Sequence, residues 1–457
     1  MPKKSLIKRI TLIRGVITIA LGLNSVSYSQ FPIVGYYPSW MRNVLTAGQF
    51  EWAHLTHIVQ AFAWPLSNGN IANYSDLLYP ELVNQAHAAG KKVLIAFGGW
   101  GQSDGFSPMV ADTIARKNFI ENVITFCETN GFDGVDLDWE YPATPADRQN
   151  LNHLVKELRE AFTDRQKDWL ITMAIPAGDW AGQWFDYATL QNYLDWIGCM
   201  TYDFMGSWVS VATHNAPLYP HPQNPQGSVD ASIQYLTTIR RITPSKILVG
   251  LPFYGRGCNA TGLFQPNTGG NVEYYYSQII PKIGNGWNDY WDDVSQTPYL
   301  LNVTQTQFIT FDDTQAVHLK CEYVRTQELG GVMIWALGYD KIGFHQPLLE
   351  TVARYLQPEA QIRMAPETSS GLALISSCYP NPFNERATIQ FFLPYNDNIH
   401  LEVFDITGRS IEMILNQSVS SGWHQVQFGT RGLPAGLYLY RLTGTGYSKT
   451  GKIISLQ

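Results

Sequence analysis

The chain has 457 residues, with 31 Lys or Arg and 38 Asp or Glu, so its formal net charge is −7. This acidic balance argues against a nucleic-acid-binding protein, which would carry a basic surplus, and the 45% hydrophobic content argues against a disordered chain. Charged residues reach only 15% and aromatic residues 13%, so some rings must lie at surfaces or in clefts, as in sugar-binding clefts, although core packing is their commoner use.

The N-terminus is typical of a secretory signal peptide. Basic residues between positions 3 and 14 precede an apolar run at 15–23, and small residues follow at Ser27 and Ser29. The run is shorter than the roughly 20 apolar residues that a bilayer span needs. We therefore expect residues 1–29 to be removed, leaving a secreted protein without stable membrane insertion. A membrane anchor retained at the same place is the alternative.

Residues 30–356 alternate strand-like and helix-like patterns. Apolar runs such as KVLIAF and KILVGLP are expected of parallel strands that are covered on both faces. Amphipathic stretches separate them, as where Leu151, Leu154 and Leu158 recur at helical spacing. Eight such strands joined by helices predict an α/β fold, the (β/α)8 TIM barrel. The predicted strands are Pro32–Tyr37, Leu55–Ala63, Lys92–Phe97, Phe132–Glu140, Trp169–Ile175, Leu194–Tyr202, Lys246–Pro252 and Gly331–Leu337, and the predicted helices include Met109–Thr129, Ala146–Phe162, Val229–Arg241, Thr314–Leu329 and His345–Leu356.

The interval between the seventh and eighth predicted strands is too long for a simple crossover. We expect it to hold a small inserted subdomain over about residues 257–310, because a loop of this length without secondary structure is uncommon in a compact domain. A helix is predicted within it, near Tyr274–Ile280.

The C-terminal part of the chain changes in pattern. Residues 357–371 are polar, contain proline and lack periodicity, which indicates a linker. Residues 372–457 alternate with period two between turns, which predicts a small antiparallel β-sandwich. Short motifs in this segment resemble those of the C-terminal sorting domain of type IX secretion substrates, which implies export by that machinery across a bacterial outer membrane. A carbohydrate-binding module is the alternative. The resemblance rests on Tyr379–Asn384, Val403–Gly408, Leu433–Tyr438 and a terminal Lys-Ile-Ile.

In a barrel of this kind the chemistry lies where the strands end, at the C-terminal face. The residues at these ends are mainly aromatic and acidic, so their convergence builds a ring-lined cleft with an acidic centre. In chain order the ends carry Tyr36 and Tyr37, Phe62, Gly99 and Trp100, Asp136 to Tyr141, Met200 to Asp203, Tyr254 and Arg256, and Trp335.

The fourth predicted strand is the most informative stretch. Strand side chains alternate with period two, so Asp136, Asp138 and Glu140 share one face, the barrel interior, whereas Asp133 is out of phase. Three acids on a buried face cannot all ionise cheaply, and their repulsion and desolvation raise at least one pKa. A carboxyl that stays protonated near neutral pH suits a general acid. Glu140, which lies nearest the mouth, is the predicted proton donor.

Two alternatives compete for this acidic strand. Three carboxylates can hold a hard divalent cation, but their neighbours are rings and no Asn/Asp-rich loop accompanies them. They can also form a structural hydrogen-bond ladder, which is an expensive way to build a barrel. Five widely spaced cysteines without a C-x-x-C pair exclude a disulfide scaffold and a zinc site, and leave one or two bridges open. Cys127 and Cys199 are interpreted as small buried hydrophobes, and we expect neither a metal nor a cofactor.

The pattern Asp133-x-x-Asp136-x-Asp138-x-Glu140 resembles the signature of glycoside hydrolase family 18, the chitinases. Further motifs follow in the family's order, on the strands where the family has them, and the resemblance spans about residues 31–356. The inserted subdomain resembles the α+β insertion of deep-cleft chitinases in this family. The further motifs are Gly98-Gly99-Trp100, Met173–Ala177, Met200-Thr-Tyr202-Asp203, Leu251–Arg256 and Trp335.

The resemblance implies substrate-assisted retaining catalysis, an exception to the usual scheme of two carboxylates. In the substrate-assisted mechanism, Glu140 acts first as the general acid and then as the base. Asp138 binds the acetamido N–H of the substrate, Asp136 tunes Asp138 from below, and Tyr202 donates to the acetamido oxygen.

The resemblance also assigns substrate-binding residues. Asp203 and Arg256 would bind sugar hydroxyls or polarise the site from the far wall, and Trp335 would form the floor beneath the sugar at subsite −1. The other residues expected at the cleft are Tyr36, Trp40, Phe62, Gly99, Trp100, Tyr141, Met200 and Tyr254.

Together these features predict a secreted, extracellular or cell-surface chitinase that acts as a monomer on chitin or N-acetylglucosamine oligosaccharides. A chitin-binding lectin on the same barrel is one alternative, although inactive relatives usually lose the glutamate that is present here as Glu140. A related endo-β-N-acetylglucosaminidase that acts on glycoprotein glycans, or an enzyme that acts on peptidoglycan, is the other. The inserted subdomain and Asp138 favour chitin.

One residue departs from the family pattern. Ala96 stands where the family usually has a serine whose hydroxyl supports the deepest aspartate, so Asp136 needs other partners, such as Tyr36 or water. We predict altered pH dependence rather than lost activity. Ala96→Ser should therefore change the pH–rate profile, and an unchanged profile would contradict this role of the serine hydroxyl.

Overall fold

The computed structural model describes residues 31–223, 227–302, 304, 306–357, 376–379, 381, 383–384, 386–393, 397–420, 422–429, 434–444 and 447–456. The predicted signal peptide and nearly all of the predicted linker lie outside the described residues. Within the described ranges, no helix combines the length and the apolar composition needed to cross a bilayer.

The N-terminal part, residues 31–357, alternates strands with helices. Its strands are β1 (Ile33–Pro38), β2 (His57–Pro65), β3 (Ile71–Asn73), β4 (Lys92–Gly98), β5 (Gly134–Asp138), β6 (Leu170–Pro176), β7 (Trp196–Met200), β8 (Ile247–Pro252), β9 (Tyr254–Asn259), β10 (Val272–Tyr275), β11 (Asn288–Asp292), β12 (Thr297–Asn302), β13 (Gln307–Thr310) and β14 (Gly331–Trp335). Its helices are α1 (Pro80–Ala88), α2 (Phe106–Ala111), α3 (Thr113–Asn130), α4 (Pro145–Asp164), α5 (Asp179–Gly182), α6 (Tyr187–Leu190), α7 (Val229–Gln234), α8 (Tyr276–Ile279), α9 (Thr314–Thr326) and α10 (Pro347–Leu356).

Eight parallel strands close into a barrel in the order β1-β14-β8-β7-β6-β5-β4-β2, because β1 pairs with both β14 and β2. This confirms the predicted (β/α)8 barrel. Closure satisfies the backbone groups of every barrel strand and aims all eight C-terminal ends at one face. In the interior, Ala96 of β4 is the strand neighbour of Asp136 of β5, which is in turn the neighbour of Thr172 of β6.

The outer helices follow the predicted pattern, with one break that the hydrophobic spacing did not reveal. The predicted helix Met109–Thr129 is divided at Asp112, whose extended backbone ends α2 and whose side chain accepts the Ile114 and Ala115 N–H groups at the start of α3. Such a cap satisfies donors that have no partner inside the helix. Cys127 on α3 is buried, as predicted, and the five cysteines, all in described residues, are free.

The insertion follows β8 directly and forms a five-stranded antiparallel sheet in the order β10-β9-β13-β12-β11, with α8 between β10 and β11. It is anchored where it returns to the barrel. Lys320 of α9, which is fully buried, pairs with the carboxylate of Asp312 and donates to the Ala216 carbonyl oxygen at 2.6 Å. A single ammonium therefore ties together α9, the end of the insertion and the long loop after β7.

The C-terminal domain consists of antiparallel strands, as predicted. One sheet has the order β15-β16-β19 and the other β18-β17-β20-β21. Residues such as Ile389 from the first sheet and Leu401 from the second share one apolar core. Two sheets over one core form the predicted sandwich. The strands are β15 (Ser376–Tyr379), β16 (Arg386–Leu393), β17 (Asp397–Asp405), β18 (Ser410–Val419), β19 (Gly422–Gly429), β20 (Gly436–Gly444) and β21 (Tyr447–Ser455).

The buried pair of Lys320 and Asp312 makes the anchoring of the insertion testable. Lys320→Met removes the cation and leaves the carboxylate of Asp312 buried without its counter-charge, so the free energy of unfolding should fall by about 3–5 kcal/mol. Denaturant titration measures the change. Lys167→Met is the control, because it breaks the more exposed pair with Glu128 and should cost less than about 1 kcal/mol. An equal loss in both variants would contradict the anchoring role.

Candidate active site

Strand β5 presents an acidic ladder to the barrel mouth. Asp136 and Asp138 are buried at 2% and 4% exposure, and Glu140 follows two residues later, partly exposed. The intervening Trp139 points outward, where its ring stacks on Phe106 of α2 with centroids 5.2 Å apart. This alternation explains why the acids face inward: the apolar residues between them fill the space between barrel and helices.

The exit of β5 is fixed by hydrogen bonds from the loop after β4. The Gly99 N–H donates to the Asp138 carbonyl oxygen at 2.8 Å, and the Glu140 N–H donates to Ser103 Oγ at 2.9 Å. A side chain at Gly99 is excluded, because its φ is +88° and a Cβ atom there would lie 2.9 Å from the Phe62 ring. The Gly98-Gly99 pair therefore allows close approach of the strand ends.

Asp136, the deepest acid, has two hydroxyl partners. Tyr36 Oη donates to Oδ2 at 2.8 Å and Thr172 Oγ1 donates to Oδ1 at 2.5 Å. Burial raises the pKa of Asp136 to about 6, and these two hydrogen bonds act in the opposite direction. The contact expected from Tyr36 is present. Thr172 was missed, although a threonine at an inward position in the apolar strand LITMAIP was the available signal.

Asp138 lies between the other two acids. Burial, the charge of Glu140 and the charge of Asp136 raise the pKa of Asp138 well above its ordinary value. Its Oδ1 atom is buried and has no hydrogen-bond partner among the described residues. An unpaired buried carboxylate oxygen is costly, so this atom suits an N–H donor that a ligand brings.

Glu140 titrates near neutrality. Burial raises its pKa to about 7, a hydrogen bond from the Tyr141 hydroxyl opposes the shift, and the charge of Asp203 adds to it. A carboxyl with this pKa can both give and take a proton at neutral pH. Glu140 therefore has the electrostatic properties of a general acid and base.

The far wall of the site is a compact charged cluster around Asp203 Oδ1. Tyr254 Oη donates to this oxygen at 2.6 Å and Arg256 Nη2 at 2.5 Å, and Arg256 also lies 3.8 Å from Glu273. Both Tyr254 and Arg256 stand on β9, the first strand of the insertion. The ring of Tyr202 packs against Tyr254 with centroids 6.0 Å apart, and Met200 ends β7.

Aromatic rings form the floor and rim. Trp335 at the end of β14 stacks on Phe62 with centroids 5.7 Å apart, and the rings of Tyr36 and Trp40 lie 5.9 and 6.3 Å from it. Tyr36 and Phe62 are buried below the surface, whereas Trp40 is 46% and Trp100 80% exposed. The predicted cleft rings thus divide into buried supports and exposed faces.

Sequence reasoning missed two exposed rings at the rim. Trp180, on the short helix α5 that follows β6, is 68% exposed and makes an edge contact with Tyr141, with ring centroids 5.0 Å apart. Trp208, after β7, is 61% exposed, and the Arg256 guanidinium lies 5.1 Å from its ring. Both follow a barrel strand within ten residues, which was the signal available in the sequence.

The barrel fold agrees with the sequence comparisons. Residues 32–340 match the sequence profile of glycosyl hydrolases family 18, and the chain belongs to this family. Residues 377–456 match the secretion system C-terminal sorting domain. Several of the similar proteins are named as chitinases, and one similar structure is a family 18 N-acetylglucosaminidase from Paenibacillus barengoltzii, 28% identical with a TM-score of 0.64 over 71% of this chain and 99% of that one.

One of these is a probable endochitinase of Caenorhabditis elegans, 33% identical over 346 residues, an alignment that covers 66% of this chain and 55% of the nematode protein. Catalytic domain 2 of the Ostrinia furnacalis Group II chitinase is 30% identical with a TM-score of 0.67, and the match covers 76% of this chain and all of that one. The Ostrinia furnacalis Group IV chitinase, solved in complex with allosamidin, is 26% identical with the same TM-score over 72% of this chain and 99% of that one.

The raised pKa of Glu140 predicts that this residue destabilises the fold at high pH. Because its folded-state pKa lies above its unfolded value, the stability it contributes below about pH 4 is lost as the pH rises through 7. Glu140→Gln should therefore be about 3 kcal/mol more stable than wild type at pH 8 and about equal at pH 4. Thermal unfolding at the two pH values measures this. Exposed Glu160→Gln, the control, should show no such pH-dependent gain, and a gain at pH 4 for Glu140→Gln would contradict the argument.

Proposed function

We propose that this protein is a secreted chitinase that hydrolyses β-1,4 linkages between N-acetylglucosamine units with retention of configuration. The observation that carries the proposal is the buried acidic ladder of β5, in which Asp138 has an oxygen that no described residue binds, beside Glu140, the acid that titrates near neutrality. Membership of family 18 and the chitinase names of its relatives support the substrate class.

In the first step, the acetamido oxygen of the sugar at subsite −1 attacks its own anomeric carbon. The bond from that carbon to the glycosidic oxygen breaks, and Glu140 gives its proton to the departing oxygen. Asp138 Oδ1 accepts a hydrogen bond from the acetamido N–H, and the negative charge on the ladder stabilises the cationic ring that forms. Tyr202 donates to the acetamido oxygen and holds it in line with the anomeric carbon.

In the second step, Glu140 acts as the base. It takes a proton from a water molecule whose oxygen bonds to the anomeric carbon, which opens the oxazolinium-like ring and regenerates both the acetamido group and the protonated Glu140. One group serves in both directions because its pKa lies near the working pH.

The walls hold the sugar chain. Trp335 offers a face to the sugar at subsite −1, and Phe62 and Tyr36 support the indole from below. The exposed rings of Trp40 and Trp100 extend this platform, since the C–H faces of a pyranose pack on aromatic planes. Asp203 and Arg256 add polar contacts to sugar hydroxyls.

Export follows from the C-terminal domain. Its match to a secretion sorting domain, together with the basic and apolar N-terminus, supports transport by type IX secretion machinery to the cell surface or medium of a bacterium. Chitin is an extracellular polymer too large to enter a cell, so export places the enzyme beside its substrate.

Loss of the proton donor tests the proposal. Wild-type protein should release reducing ends from chitin oligosaccharides, and Glu140→Gln should lower this rate at least about 100-fold, because it removes general acid catalysis. Oligosaccharide binding, measured by calorimetry, should persist in the variant. Glu160→Gln on the exposed face of α4 is the matched control and should keep wild-type activity. Wild-type protein that binds chitin oligosaccharides without cutting them would identify a lectin and overturn the proposal.

A further inference from the structure

The support of Asp136 comes from an unexpected side of the barrel. Its neighbour on β4 is Ala96, which is fully buried and carries no polar group, whereas its neighbour on β6 is Thr172, whose hydroxyl donates to Asp136 Oδ1 at 2.5 Å. Thr172 is itself 6% exposed. Of the two strands that flank β5, β6 therefore supplies a hydroxyl to Asp136 and β4 supplies none at the paired position.

We propose that Thr172 is a positioning residue of the active site, which holds the carboxylate of Asp136 ionised and so leaves the mobile proton to Asp138 and Glu140. The inference deepens the proposed chitinase function and rests on it for its catalytic consequence. The single proton of the Thr172 hydroxyl is directed to Asp136 Oδ1 at 2.5 Å, because the other acceptor, the Val135 carbonyl oxygen, is 3.5 Å away. Thr172 therefore acts through Asp136.

The chemistry follows from hydrogen-bond strength in a dry interior. A donor to a carboxylate is shorter and stronger than a donor to a neutral acid, so Thr172 favours the charged form of Asp136. The second donor, Tyr36, holds the other oxygen at 2.8 Å. With both oxygens bound, Asp136 opposes a further negative charge on Asp138, and that repulsion keeps a proton shared between the two outer acids.

The other groups that face Asp136 are few. From β1 comes Tyr36, and from β5 itself comes Asp138, which in turn faces Tyr202. From β2, His57 lines a small cavity together with Asp136 and Thr172, with room for about one water molecule. Burial lowers the pKa of His57 to about 4, so it is neutral above pH 5. Thr172 and Tyr36 are thus the side-chain donors on Asp136 among the described residues.

Kinetics test the catalytic consequence. In Thr172→Val, Asp136 protonates more easily, so the acid limb of the kcat/KM profile on chitin oligosaccharides should move up by about 1 pH unit. At pH 5 this lowers kcat/KM about tenfold, with kcat rather than KM carrying the loss. Thr172→Ser should keep the wild-type profile. Ala96→Ser combined with Thr172→Val should restore part of it, because the serine returns a hydroxyl from the other neighbouring strand.

Unfolding experiments test the contact itself, even if the protein does not cut chitin. The melting temperature of Thr172→Val should fall below wild type by about 2 °C more at pH 7.5, where Asp136 is ionised, than at pH 4. In an Asp136→Asn background this extra loss should vanish. Thr351→Val is the control, since it removes another buried threonine hydroxyl, which donates to the Pro347 carbonyl oxygen, and its loss should not depend on pH.

Three results would overturn the proposal. One is a Thr172→Val profile that superimposes on wild type. Another is an activity loss that is equal at every pH and is not recovered by Thr172→Ser. The third is a pH-dependent loss of melting temperature that persists in the Asp136→Asn background, which would show that Thr172 acts through a different group. Absence of chitin cleavage by wild type, with the expected unfolding results, would overturn the proposed function and leave the contact established.

Discussion

Three carboxyl groups on one strand and its exit face the interior of the barrel, and the free-energy cost of ionising them governs the site. Asp136 and Asp138 are almost fully buried, and burial raises the pKa of every member of the ladder. Each group meets this cost differently. Asp136 takes two hydroxyl donors, Asp138 is left with an unpaired oxygen, and Glu140 is shifted to a pKa at which it exchanges protons at neutral pH. The number of hydrogen-bond donors on each acid thus falls from the bottom of the barrel to its mouth, and the three acids acquire different protonation properties.

The barrel makes this gradient possible. Closure leaves no free sheet edge among its strands and fixes which residues of neighbouring strands stand side by side. Ala96, Asp136 and Thr172 meet through that register. The Gly99 N–H and the Ser103 hydroxyl bind the backbone at the exit of β5. The precision of the site therefore lies in strands and their immediate ends rather than in long loops.

The periodicity of the sequence was sufficient to predict the barrel strands and the inward face of the acidic strand. Continuous apolar runs predicted the barrel strands, and the spacing of Asp136, Asp138 and Glu140 predicted one inward face, because both depend only on local geometry. Cross-strand partners depend on register, which one sequence does not reveal, so Thr172 went unnoticed although Tyr36 was foreseen. The break at Asp112 was missed because the apolar spacing continues across it and only the capping geometry divides the helix. The exposed Trp180 was missed because it lies beyond the strand end, in the four-residue helix α5, which is too short to show a helical period in the sequence.

Strand β9 has a further consequence. It belongs to the inserted sheet, where it pairs with β10 on one side and β13 on the other, and it also carries Tyr254 and Arg256, which hold Asp203. The polar wall is therefore part of the inserted sheet. The buried ion pair of Lys320 with Asp312 anchors the end of the insertion to α9. An outward movement of this wall would break the ion pair between Arg256 and Asp203. The inserted sheet therefore holds this side of the site as a rigid wall, joined to the barrel through Asp203 as well as through its own connections.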